Sequence, residues 1–141
     1  MIEYDERLLK NFYLNKGYYN VTINSSFAKM TNDQSFELIF NIDANSKIFF
    51  GDLKIDLPVD FSKSNYEEVE KFFKKLEDEP YSLNRIEDIV ERIEIITINE
   101  QYESIKASIK ENIVSNKINI NFKIEETEKF FIERINIFGN N

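Results

Sequence analysis

Two runs of strict apolar alternation, Phe36-x-Leu38-x-Phe40-x-Ile42 and Ile118-x-Ile120-x-Phe122-x-Ile124, stand 82 residues apart. At the same offset Leu53-Lys54-Ile55 recurs as Ile135-Asn136-Ile137, and Tyr18 has its counterpart in Tyr102, with the first hairpin loop longer by two. Period-two alternation is the mark of a strand with one buried face, and its return at a fixed spacing marks a repeated supersecondary unit. Helix, hairpin, strand therefore occurs twice. One full period beginning near Lys47 reads strand, helix, helix, strand, strand.

The helices are read from their spacing and ends. Leu8, Leu9, Phe12 and Tyr13 predict a helix over about Glu6 to Lys16, with Asp5 as N-cap and Gly17 as the residue that ends it. Val69, Phe72, Phe73 and Leu76 fall at i, i+3, i+4, i+7 behind an S-x-x-E capping box, Ser64 to Glu67. Ser82 is the expected N-cap of a second helix, with Tyr81 placed to staple against Ile86, running through Ile89, Val90 and Ile93. Its end near Asn99 is left open by the β-branched Ile95, Ile96 and Ile98, which suit a strand equally well. Val21 to Phe27 and Phe36 to Ile42 form a hairpin around Thr31-Asn32-Asp33-Gln34. Ile105, Ala107 and Ile109 form another with the second alternating run, its turn lying in Asn112 to Asn116. The run Ile48, Phe50, Leu53, Ile55 slips phase at Gly51-Asp52, where a β-bulge would sit.

Composition removes most chemistry. The chain has 141 residues, no His and no Cys, so a His-based triad, a thiolate nucleophile and a Cys/His zinc site are excluded. A net charge of -8 repels phosphate backbones, so nucleic acid is not an expected partner. The acidic groups Glu67-Glu68, Glu77-Asp78-Glu79 and Glu125-Glu126 lack a spacing that would face two acids across a cleft, and they read as a solvated face. Phe72, Phe73, Phe122, Phe130 and Phe131 follow element periods and read mainly as core, while Tyr18 and Tyr102 read as anchors of a helix end on the sheet. No catalytic residue, metal or cofactor is expected. No apolar run approaches a membrane span.

The run Leu8-Leu9-x-x-Phe12-Tyr13-Leu14-x-x-Gly17-Tyr18 with its following hairpin, and Phe131-Ile132-Glu133-Arg134-Ile135-Asn136-Ile137-Phe138-Gly139-Asn140, resemble the polypeptide-transport-associated (POTRA) repeats of BamA-type outer-membrane assembly factors. The resemblance implies an α+β fold of tandem β-α-α-β-β units, each a three-stranded mixed sheet packed against two helices. It divides the chain into the C-terminal part of one repeat (1–46), a complete repeat (47–127) and the first strand of the next (128–141). A parent protein would then carry a signal peptide, further repeats and a C-terminal barrel that anchors it in the membrane. The family places such repeats on the periplasmic side of the bacterial outer membrane, with unfolded outer-membrane protein precursors and accessory assembly lipoproteins as partners.

The resemblance also points to a binding surface. It implies a sheet in which the hairpin's first strand, Glu103, Ser104, Ile105, Lys106, Ala107, Ser108, Ile109 and Lys110, lies at the edge, open to an added peptide strand. Lys106 and Lys110 on that edge equally suit gatekeepers that discourage pairing. Two functions stand side by side: a polypeptide-binding adaptor for barrel precursors, and a structural spacer of the kind expected in a two-partner secretion transporter or a cell-division protein. The incomplete ends are expected to expose Leu9, Phe12, Phe40 and the strand after Phe130 for packing on a second copy or a neighbouring domain.

Overall fold

The computed structural model describes residues 2–30, 35–100 and 105–127, with side chains from Asp5 onward. Helix α1 (Ile2–Leu14) leads into an antiparallel hairpin of β1 (Thr22–Lys29) and β2 (Phe36–Asp43). There follow β3 (Phe49–Asp56), α2 (Glu67–Leu76), α3 (Leu83–Asn99), β4 (Ile105–Val114) and β5 (Lys117–Glu126). The last five elements give the expected β-α-α-β-β order. Their sheet is mixed, in the order β3-β5-β4, with β3 parallel and β4 antiparallel to the central β5.

The alternation of β5 places Ile118, Ile120, Phe122 and Ile124 on one face, all 2% exposed or less. Above them lie Val69, Phe73 and Leu76 of α2 and Ile86, Ile89 and Ile93 of α3, all buried. Phe73 stacks on Phe122 with centroids 5.6 Å apart and planes 14° from parallel. The opposite face of the sheet is polar, as suits an antiparallel edge with one solvated side. Phe72 and Val90, read from sequence as core, are only partly buried; Phe72 lies at the rim, with the Arg92 guanidinium 4.6 Å from its ring.

Several local readings are corrected. No capping box forms: Lys63–Tyr66 is a 3-10 turn, α2 starts at Glu67, and the Ser64 hydroxyl bonds the Ser62 hydroxyl (2.9 Å). The cause is Tyr66, whose ring is fully buried and whose hydroxyl bonds the Thr97 hydroxyl (3.0 Å), which pins the turn before α2 to α3. Thr97 also settles where α3 ends. Ile89, Ile93 and Thr97 recur every fourth residue on the buried face, so packing outweighs the β-preference of the isoleucines and the helix continues to Asn99. Helix α1 begins at Ile2, so Asp5 is inside it, and Leu8 and Phe12 are 50% and 57% exposed. The turn of the second hairpin is Ser115-Asn116 alone. The expected bulge is present, as a register shift between Phe50 and Leu53, where the Asn119 side-chain oxygen accepts the Asp52 N–H (2.8 Å). The turn at Thr31 to Gln34, Tyr102, and Phe130 with Phe131 lie outside the described residues.

The hairpin β1-β2 and its helix are joined to the larger sheet by specific contacts. The Asn15 side-chain oxygen accepts the Asn84 N–H (2.7 Å) and the Ser82 hydroxyl (3.1 Å), so a residue after α1 caps α3 in place of Ser82 itself. Gly17 (φ 100°) gives its carbonyl to the Ile48 N–H (2.8 Å). A Cβ there would stand 2.7 Å from Lys47 Cγ and 3.3 Å from Pro80 Cβ, in addition to the strain of its backbone. Tyr19 packs edge-on against Tyr81 (5.0 Å) and donates its hydroxyl to Glu111 (2.5 Å). That bond, with partial burial, raises the Tyr19 phenol to about 12.

Two outcomes follow. Phe122→Ala, which empties the centre of the core, should lower stability by about 3 to 5 kcal/mol in urea unfolding, whereas Phe27→Ala, at a side chain 60% exposed, should stay within about 1 kcal/mol. Asn15→Ala should cost about 0.5 to 2 kcal/mol, the range for a lost helix cap, and should speed amide exchange in the first turn of α3; unchanged exchange there would refute the shared cap.

Candidate functional site

The strand singled out from sequence occupies one margin of the three-stranded sheet. β4 pairs with β5 along its whole length, and no other described element runs beside it. The opposite margin is closed at its start. Along β3, Ile48, Phe50 and their neighbours exchange bonds with Gly17 and with the α2–α3 connection: Phe50 N–H to Glu79 (2.8 Å), Asp78 N–H to Phe50 (3.0 Å) and Tyr81 N–H to Ile48 (2.9 Å). α2 packs beside the same strand, leaving a groove floored by Leu53 and Phe73 and rimmed by charged side chains. Among the described residues β4 thus has no second partner strand anywhere along it.

The direction of its backbone groups follows from the turn. Val114 and Lys117 flank a two-residue loop, which requires them to exchange both main-chain bonds. Bonded and non-bonded pairs alternate along an antiparallel ladder, so Asn112, Lys110, Ser108 and Lys106 point their N–H and C=O at β5. The odd-numbered Ile105, Ala107, Ile109, Glu111 and Ile113 point theirs outward. A bond on the far side of β5 agrees: the Asn116 carbonyl accepts the Phe49 N–H (2.8 Å), so even residues of that strand face β3 and odd ones face β4.

The side chains sort by the same parity. Ile105 and Ala107 pack on the core, while Ile109, opposite Phe122, is 39% exposed. Lys106 and Lys110 are exposed and Ser108 partly buried on the polar face, opposite Glu125, Asn121 and Lys123. Glu103 and Ser104 lie outside the described residues. At the other end of β4 the edge is met by Tyr19 at Glu111, so the open stretch is Ile105 to Lys110. Sequence alone could not give this parity, because it depends on a turn two residues long.

Nothing in the described residues adds a reactive constellation. Glu68 pairs with Arg92 (2.8 Å) and Asp78 with Lys117, both at the surface, and no three carboxylates converge. No described helix is long and apolar enough to cross a membrane.

Residues 1–45 match the POTRA family model, described as a surface antigen variable number repeat. Among solved structures the chain is similar to BamA from Haemophilus ducreyi lacking POTRA domains 1–3, with TM-score 0.63 and 16% identity over 89% of this chain and 23% of that one. It is also similar to Haemophilus influenzae BamA POTRA3–5, with TM-score 0.56 and 17% identity over 89% of this chain and 47% of that one. The chain thus spans about a quarter of the first and about half of the second. No curated protein matches it. The first 45 residues thus match the POTRA family model, and the described chain shares the fold of BamA POTRA domains.

Proposed function

We propose that these repeats are non-catalytic periplasmic modules of an outer-membrane β-barrel assembly factor, and that they hold unfolded barrel precursors, or accessory lipoproteins, by strand addition along β4. In this reading 1–46 is the C-terminal part of one repeat, 47–127 a complete repeat and 128–141 the opening strand of another, within a parent protein anchored by a C-terminal barrel. The observation that carries it is the row of outward N–H and C=O groups on Ile105, Ala107 and Ile109, next to a fully bonded ladder. Main-chain bonds are indifferent to side-chain identity, which suits a client set defined by being extended and unfolded. Lys106 and Lys110 stand exposed on the polar face, with their own N–H and C=O turned to β5.

A second reading, a spacer that sets distance and direction between repeats, draws support from the junction at Asn15, Gly17 and Tyr19. The two are separated at the edge. Ala107→Pro removes an outward N–H and should leave unfolding unchanged within about 1 kcal/mol while weakening an unfolded barrel peptide roughly 2- to 10-fold. Ser108→Pro removes a ladder donor and leaves the facing Lys123 carbonyl unpaired, so it should lower stability by about 1 to 3 kcal/mol. Titration of both variants beside Lys106→Ala decides the matter: full peptide affinity in a folded Ala107→Pro protein would leave the spacer reading in place.

A further inference from the structure

The polar side of β4 carries Lys106, Ser108, Lys110 and Asn112, and no acid. Lys123 stands behind Ser108 on β5, and Lys54 stands on β3 in the row of Lys110 and Asn121. The ion pairs of the described residues are Arg85 with Asp88, Arg92 with Glu68 and Lys117 with Asp78, so none of Lys54, Lys106, Lys110 and Lys123 is in one. The acids of this face lie further back, Glu125 on β5 and Asp52 and Asp56 on β3. A chain with a net charge of -8 is therefore locally positive along its edge strand.

Backbone parity decides how closely a partner's side chains meet these lysines. The outward N–H and C=O belong to the odd residues, so in an antiparallel addition Ile105, Ala107 and Ile109 make the hydrogen-bonded pairs. Lys106, Ser108 and Lys110 then fall in non-hydrogen-bonded pairs, where Cα atoms approach to about 4.5 Å and side chains are closest. Lys106 and Lys110 are about 14 Å apart along the strand, a spacing that two acids four residues apart on a partner strand reproduce. The residue midway between those acids faces Ser108, with the Lys123 amine beyond it. A second copy of β4 does not fit. In the antiparallel register centred on Ser108, each Lys106 faces the other copy's Lys110, and like charges directly opposite are unfavourable. The lysines thus discourage self-pairing without occupying the backbone groups of the edge.

We infer that the strand added along β4 is acidic on its polar side: an extended segment with Asp or Glu at alternate positions, selected by Lys106 and Lys110. The inference rests on the strand-addition reading above and supplies the side-chain chemistry which that reading leaves open. Opposite charges facing each other across two strands are worth roughly 1.5- to 5-fold in affinity per pair. Selection is therefore graded: the backbone admits any extended segment, and the two lysines rank what enters.

The test titrates the full chain with three labelled peptides of equal length that alternate Thr with Glu, with Gln or with Lys. The net charge of -8 by itself favours the Lys peptide, so a preference for Glu has the sign opposite to the long-range field. The Glu peptide should bind roughly 2- to 30-fold tighter than the Gln peptide at about 0.02 M salt, with the Lys peptide weakest, and the gap should shrink at about 0.5 M salt. Lys106→Glu combined with Lys110→Glu, both at exposed positions, should leave circular dichroism unchanged and reverse the order, so that the Lys peptide binds best. In Ala107→Pro, which removes an outward N–H, the Glu peptide should lose affinity with the others. Equal binding of the three peptides to the parent, a Glu preference that survives the charge reversal, or full affinity for the Glu peptide in Ala107→Pro would each overturn the inference. The first of these leaves strand addition itself standing, whereas a parent that binds none of the peptides overturns both.

Discussion

Phe122 lies on Phe73 with its ring fully buried, and among the described strands the one that carries it is alone in having a strand on each side. Because β5 is central, its even residues must serve two purposes at once: their side chains enter the core, and their backbone groups bond β3. The odd residues bond β4. This division determines the margin, since β4, bonded by its even residues, is left with the backbone groups of its odd residues facing outward while the side chains of Ile105 and Ala107 pack on the core. The edge is open without being loose. Ile105 and Ala107 are held by the core while the outward backbone groups have no described partner strand.

The two hairpins show how much of this depends on neighbours. β2 has the same alternation as β5, and Phe40 faces Ser25 as Phe122 faces Ile109. With no strand equivalent to β3 and no helix equivalent to α2 beside it among the described residues, the same pattern leaves Phe36 and Ile42 in solvent. The junction compensates in part: Leu14 and Tyr19 pack on the larger core, and Asn15 supplies the cap that α3 does not make for itself. The junction between the α1 hairpin and the larger sheet is therefore also a helix cap.

What was legible in the sequence is what periodicity encodes. Alternation at Ile118 to Ile124, the four-residue spacing of α2 and α3, the phase slip at Gly51 and the recurrence of the hairpin as β1-β2 and β4-β5 all correspond to observed structure. Short polar signals failed where a tertiary partner competed: Ser64 and Glu67 match a capping box, but the buried Tyr66–Thr97 bond draws the chain into a 3-10 turn first. The cap from Asn15 to Asn84 joins residues 69 apart and has no local signal at all. The edge strand was identified through resemblance, and only the two-residue turn at Ser115-Asn116 tells which of its groups are free.

The most direct measurement is amide hydrogen exchange along β4, read residue by residue with and without an unfolded barrel peptide. The account predicts alternation in the free protein: slow exchange at Lys106, Ser108 and Lys110, fast exchange at Ala107 and Ile109, with the peptide slowing the fast set and leaving the slow set unchanged. Uniform protection along β4 in the free protein, or peptide binding that leaves Ala107 and Ile109 fast, would contradict it.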